Sequence, residues 1–264
     1  MSTIAVVHGH LLIENRDAVR VVTINRPDKL NALNRAVLDE LHAAFAQIAT
    51  DPGVRAVVLR GAGEKAFVAG ADIAELAALN PIQARDFSRH GQQLMKHIEN
   101  LGKPVIAMIG GYALGGGMEL AMCCHLQIAA DTAKFGQPEI NLGVLPGFGG
   151  TQRLLRLAGR GAALELCLVG VPISAQRAYE LGIVNRVVPL EQLEEATFAL
   201  AAQFAAAAPQ ALRGILDAVL IGGECAIDAG LDYETQAFAL CASTNDMREG
   251  TTAFLERKPI FQGD

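Results

Sequence analysis

Short aliphatic and β-branched runs alternate with glycine-rich turns over residues 1–190, whereas residues 191–264 read as helix after helix. Arg20-Val21-Val22-Thr23-Ile24 is a strand that ends at Asn25-Arg26-Pro27. Asn34 then caps a helix whose apolar positions Val37, Leu41, Phe45 and Ile48 recur at helical spacing, and Asp51-Pro52-Gly53 stops it. Residues 54–60, 104–109 and 126–130 are buried strands, and glycine turns follow the first two. Strands alternating with helices predict an α/β or mixed layered core.

Two stretches echo one another: VRAVVLRGAGEKAFVAGAD and KPVIAMIGGYALGGGME each run strand, glycine turn, small residues, acid. The likeness is too loose to establish a repeat. Further on, Ser174 caps a short helix that Gly182 ends, and residues 183–187 form a short strand. Helices are then predicted over about 190–208, 209–220, 226–243 and 246–258. The alanine-rich stretch ATFALAAQFAAAA has helix propensity but little large apolar surface. Such a helix packs closely against another element or another subunit, and subunit contact is the favoured expectation.

Composition narrows the class. The chain has 264 residues and is 51% hydrophobic, enough to bury a substantial core. Its net charge of −6 is scattered, and basic runs with interleaved aromatics are absent, so no nucleic-acid partner is expected. Five cysteines fit reduced thiols of a cytoplasmic protein, and Cys123-Cys124-His125 lacks the spacing of a zinc site; no metal is expected. MSTIAVVHGH lacks a targeting signature, and no apolar stretch reaches about 20 residues, so no membrane span is expected.

Three motifs carry chemistry. In Gly110-Gly111-Tyr112-Ala113-Leu114-Gly115-Gly116-Gly117-Met118-Glu119 a glycine turn leads from a strand into a helix over 116–124. It is either a tight structural turn or a place where the Gly116 N–H meets an oxyanion. No GxGxxG spacing supports a dinucleotide loop. Ala66-Phe67-Val68-Ala69-Gly70-Ala71-Asp72-Ile73, before a helix over 73–79, offers a second N–H at Ala71; Asp72 either caps that helix or contacts substrate. In Phe135-Gly136-Gln137-Pro138-Glu139-Ile140, apolar neighbours could desolvate Glu139 and raise its pKa, while a surface carboxylate is the plainer alternative. For Glu119, in a helix first turn, the plainer alternative is pairing with the helix dipole. His97 and His125 are expected to be structural residues or solvent contacts, and no GxSxG elbow marks a hydrolase.

AFVAGADI, GYALGGGMELA and AKFGQPEINLGVLPGFGGTQRL, in that order, closely resemble the enoyl-CoA hydratase/isomerase (crotonase) superfamily. NRPDKLNAL near the start and EGTTAFLERKPIF near the end are also similar, so the resemblance runs from about residue 10 to 262. It implies an α/β spiral of ββα units over 1–190. A helical region over 191–264 would build homotrimers or hexamers and cover the active site. It also implies an oxyanion hole at the N–H groups of Ala71 and Gly116, with Glu119 and Glu139 as a water-holding acid–base pair. Hydratases of the family carry both glutamates; isomerases generally keep only the counterpart of Glu139.

The implied reaction is syn addition of water to a trans-2-enoyl-CoA. CoA arrives as part of the substrate, and no cofactor is needed. Family members bind CoA through positions matching Leu30, Ala32, Ala69, Asp72, Ile73, Ala74 and Gly147. Ala74 stands where many relatives have lysine, and Met118 where cysteine is common. Arg257-Lys258 resembles a basic element that reaches the CoA phosphates in relatives, or else is a solvated helix end. An isomerase, a hydratase of branched or dicarboxylic enoyl-CoA, and a non-catalytic binding or scaffolding protein are the alternatives; the charge of −6 and the missing basic stripe speak against RNA. The acyl pocket would be shaped by segments near 80–100 and 140–150, where the pattern is least informative.

Overall fold

The computed structural model describes residues 2–256, and structural statements below concern those residues. The chain opens with an antiparallel meander of β1 (Ser2–His8), β2 (Leu11–Arg16) and β3 (Val19–Ile24). In α1 (Arg35–Thr50), Asn34 Oδ1 accepts from the Val37 N–H at 2.9 Å, and the four expected apolar positions are buried.

Then the chain coils. A first unit comprises β4 (Ala56–Gly61), β5 (Ala66–Ala69) and α2 (Ile73–Ala77), followed by the long α3 (Pro81–Glu99). A second comprises β6 (Val105–Ile109), β7 (Tyr112–Leu114) and α4 (Gly116–Met122). A third begins with β8 (Leu126–Ala130) and β9 (Lys134–Gly136), and continues through a 3-10 turn, Pro138–Leu142, into α5 (Gly150–Val169). Gly159 kinks α5 with a non-helical φ of 78°. β10 (Ile173–Ser174), α6 (Ala175–Glu180) and β11 (Arg186–Val188) complete it.

β3, β4, β6, β8 and β11 run parallel in a seven-stranded sheet with β1 and β2 at one edge. β5, β7 and β9 run parallel in a four-stranded sheet that β10 closes. The two echoing stretches are therefore successive turns of one spiral, since β4 pairs with β6 and β5 with β7.

Strand alternation assigns the faces. Val57, Leu59, Val105 and Ala107 pack with Phe67, Val68, Ala113 and Phe135 in the main core. Ala56, Val58, Ile106 and Ile128 belong to a second core, completed by Leu193, Leu200 and Ala201 of α7 (Leu193–Ala206). The alanine-rich helix thus packs on its own chain's sheet, the first of the two arrangements that its composition allows. Its small side chains let it lie close to the strands. The apolar surface left uncovered belongs to the next helices. α8 (Pro209–Gly222) and α9 (Ile227–Ala242) bury no residue and expose Val219, Leu231 and Phe238, and α10 (Asn245–Glu256) exposes Phe254 and Leu255.

Three of the boundaries that differ from expectation do so for clear local reasons. The strand predicted from residue 54 starts at Ala56, because the Val54 N–H closes the turn on Asp51 O at 3.2 Å. The strand predicted from 183 starts at Arg186, because the Ile183 and Val184 N–H groups bond back to Ala178 O. α4 ends at Met122, and Gln127 Nε2 donates to the freed carbonyls of Ala121 and Cys124, each at 2.8 Å.

Candidate active site

The two glycine turns end on matching rungs. Ala69 pairs with Leu114 in the β5–β7 ladder, and Ala71 and Gly116 each stand two residues further on. Leu33 bridges to Ala71: its N–H donates to Gly70 O at 2.9 Å, and the Asp72 N–H donates to Leu33 O at 2.8 Å. In a parallel bridge of this kind the N–H of Ala71 points away from Leu33. Gly116 opens α4, so its N–H has no intrahelical acceptor. Both residues line a cavity of about 360 Å³ that also contains Glu119 and Glu139. Most of the remaining wall is apolar, from Leu76, Leu79, Phe87, Val144, Leu145 and Phe148.

Glu119 is 1% exposed. Its Oε1 accepts from the Phe148 N–H at 2.8 Å and the Gly150 N–H at 2.6 Å, donors about thirty residues away in sequence. Glycine leaves room for the second approach: a Cβ at 150 would lie 3.0 Å from that oxygen and 2.6 Å from the end of the Gln137 side-chain amide. Burial raises the Glu119 pKa to about 7, and the Glu139 charge adds to the rise; the two N–H groups and Arg153 oppose it.

Glu139, on the 3-10 turn, is half-buried rather than a surface carboxylate, and burial likewise raises its pKa to about 7. Gly115 makes room for it. A Cβ there would stand 2.6 Å from Glu139 Oε1, and the φ of 51° is one that glycine adopts without strain. Gln137 is fully buried, and with its amide oriented to donate, Nε2 reaches Glu139 Oε2 at 3.0 Å and Oε1 at 3.1 Å. The sequence pattern did not single out Gln137; its burial beside a carboxylate appears only once β9 and the 3-10 turn are in place.

Six of the seven expected CoA positions form one rim. The Ala69 N–H donates to Leu30 O at 3.0 Å, which sets the 30–33 segment beside 69–74. Leu30 has a left-handed φ of 50°, and Ile73 is 60% exposed. Asp72 caps α2 at the Ala74 N–H (3.2 Å) and pairs with Arg26 Nη2 (3.0 Å), whose hydrogen bond and charge hold its carboxyl below the usual range. Arg26 also donates to Ala32 O, so Asp72 acts as a cap and as a tie between the two segments. Gly147 stands apart from this rim. It lies against α3, where its carbonyl accepts from Ser88 Oγ at 2.5 Å and Gln92 Nε2 at 3.0 Å. Arg257 and Lys258 lie outside the described residues.

His125 is structural, as expected. Its Nδ1 accepts from the Val105 N–H at 2.9 Å, and Nε2 lies 3.0 Å from Glu99 O. His97 is stacked on His42, away from the cavity lining.

The sequence profile of the enoyl-CoA hydratase/isomerase family matches residues 14–264. The chain belongs to that family. It is 45% identical over 252 residues to a short-chain-enoyl-CoA hydratase of Clostridium acetobutylicum, covering 96% of this chain and 97% of that one. It is 44% identical over 251 residues to a crotonyl-CoA hydratase of Syntrophomonas wolfei, covering 95% and 96%. Among solved structures, an enoyl-CoA hydratase from Bacillus anthracis superposes with a TM-score of 0.93 at 41% identity, covering 97% of this chain and all of that one. The crotonase-type α/β fold follows from these likenesses.

Proposed function

We propose that this protein is an enoyl-CoA hydratase, a hydro-lyase adding water syn across trans-2-enoyl-CoA to give 3-hydroxyacyl-CoA. The observation that carries the reading is two carboxyl groups, both raised to about 7, in one cavity with the turns of Ala71 and Gly116. An isomerase needs one such acid; two let a water sit between a base and an acid.

Glu119 is the base. The backbone N–H groups on Oε1 favour its anion, which leaves Oε2 to hold the water. As the water O–H breaks towards Glu119, its oxygen bonds to C3. The C2=C3 electron pair moves towards the thioester, and the Glu139 O–H proton passes to C2. Negative charge gathers on the thioester oxygen, where the N–H groups of Ala71 and Gly116 receive it. Losing one donor of that kind costs about 10²–10³ in rate. Proton exchange within the pair resets it. No cofactor enters these steps.

The rim of Leu30, Ala32, Ala69, Asp72, Ile73 and Ala74 takes the CoA portion through backbone groups, and Gly147 shapes the acyl side instead. Exposed apolar side chains on α8–α10 support assembly of copies into a trimer or a pair of trimers. Five unpaired cysteines support a reducing compartment such as the cytoplasm.

The test is loss of enoyl-thioester absorbance with crotonyl-CoA. Glu119→Gln and Glu139→Gln should each lower turnover by orders of magnitude while CoA still binds. Near-normal turnover in either variant refutes the assignment.

A further inference from the structure

Arg153 contributes nothing to the wall of the active-site cavity. It lines a separate cavity of about 580 Å³, with Glu99, Arg156 and Glu224 among the other lining residues. Its guanidinium is nevertheless linked to Glu119 through one peptide turn. Nε and Nη2 grip Glu99 Oε1 and Oε2 at 2.6 and 2.9 Å, and Nη1 donates to Phe148 O at 2.8 Å. The turn that receives this bond, Phe148-Gly149-Gly150, is the one whose two N–H groups hold Glu119. Gly149 sits at φ 102°, and a Cβ there would strike Arg153 Nη1. The Arg153 side chain is 16% exposed and Glu99 27%, so the pair is largely shielded from water.

We propose that Arg153, locked in place by Glu99, is a positioning residue that fixes the Phe148–Gly150 turn and thereby aims the Glu119 carboxylate. This rests on Glu119 being the base. A guanidinium suits the task because its planar fork holds a carboxylate with two donors and still has a third for the Phe148 carbonyl. A lysine has the charge without the fork. The chain of bonds Glu99–Arg153–Phe148 also spans α3, α5 and the active-site turn, so the end of α3 is coupled to the position of Glu119.

Charge gives the link a sign. The groups that face Glu119 are Glu139 on the 3-10 turn, Arg153 on α5 and Cys167 further along α5, and those that face Arg153 are Glu99 on α3 and Cys123 just after α4. Arg153 is the cation of the set. Removing it disfavours the Glu119 anion, whereas removing the Glu99 charge leaves Arg153 less neutralised and favours that anion.

The experiment compares Arg153→Met, Arg153→Lys and Glu99→Gln with the unaltered protein. It measures kcat, KM and their pH profiles with crotonyl-CoA, together with Glu119 titration by carboxyl ¹³C NMR. Arg153→Met should lower kcat about 10²-fold, the scale of a base misplaced by about 1 Å, with little change in KM. Its acid limb should move up by about one pH unit. Arg153→Lys should keep the acid limb near its original place while kcat stays low. In Glu99→Gln the limb should move down. A purely structural role would lower Tm in all three without opposite shifts. Unaltered kcat and limb in Arg153→Met, or shifts of one sign in Arg153→Met and Glu99→Gln, overturn the proposal. If Arg153→Met does not fold, the other two variants decide: a normal kcat in Arg153→Lys, or no downward shift of the limb in Glu99→Gln, overturns the proposal. Should the unaltered protein hydrate no enoyl-CoA, the hydratase reading fails by itself. The NMR titration then still reports whether Arg153 and Glu99 act on Glu119.

Discussion

Gly91 on α3 leaves open the space that the ring of Phe148 fills, and a Cβ at that position would overlap the ring. Phe148 in turn packs at 5.3 Å between ring centroids against Phe87, and both aromatics line the cavity that holds the paired glutamates. Gly91→Ala should therefore push Phe148 and the Glu119-binding turn aside. We expect destabilisation of about 1–3 kcal/mol, typical of overpacking, with a disproportionate fall in kcat. Thermal melts alongside crotonyl-CoA kinetics measure both.

The same aromatic pair walls the cavity, so on the hydratase reading it should limit the acyl chain. Phe87→Ala should enlarge the cavity on the α3 side and raise the ratio of octenoyl-CoA to crotonyl-CoA turnover. It should also cost about 3–5 kcal/mol of stability. An unchanged ratio in the folded variant would place the chain-length limit elsewhere.

Activity should follow a bell-shaped pH curve. The pair works when it holds one proton, and both carboxyls lie near 7, so kcat/KM should peak around neutrality and fall on both sides. The two limbs belong to the pair. Glu139→Gln should leave one titration in what activity remains.

Stability should run the opposite way from ordinary carboxylates. Glu119 has a folded pKa of about 7 against 4.5 for an ordinary glutamate, so the folded state binds the proton more tightly. That contribution is fully present below about 4.5 and is lost as pH rises through about 7. Its full size is on the order of 3 kcal/mol. Glu119→Gln should accordingly raise Tm more at pH 8 than at pH 5. An equal change at both would show that the ionised carboxylate carries no folding cost.

Assembly can be read from mass. Light scattering should give three or six times the 27.8 kDa chain. Phe238→Asp, at a side chain 75% exposed on α9, should reduce that mass if the uncovered helices pack against other copies.

The spiral was legible where short strands carry their own signal. Val21, Val57 and Ile106 sit in runs that need no distant partner to be recognised, and Asn34 caps its helix as the local pattern requires. α3 was not legible. It buries only Phe87, Gly91, Leu94, Met95 and Ile98 of its 19 residues, and its polar remainder dilutes the apolar stripe. The overlooked sign was Asn80 and Gln83, which form a reciprocal capping box before the helix. The candidate site was half-visible for a related reason. Glu119 and Glu139 stand in motifs, but what raises their pKa values is burial in the cavity, which the Phe148 and Gly150 donors oppose at Glu119. Ser88 and Arg153 act through partners 59 and 54 residues away, and Gln137 meets Glu139 only because the 3-10 turn folds the two side chains together. A linear pattern does not record such distances.

The matching rungs of β5 and β7 have a consequence for how the two backbone donors are spaced. Neighbouring strands in a sheet lie about 4.8 Å apart. Ala71 and Gly116 each follow paired residues by the same count, so their separation is inherited from the sheet's own lattice rather than tuned loop by loop. A coil laid on a coil supplies two donors at a fixed pitch, and side chains around them can change without altering that gauge.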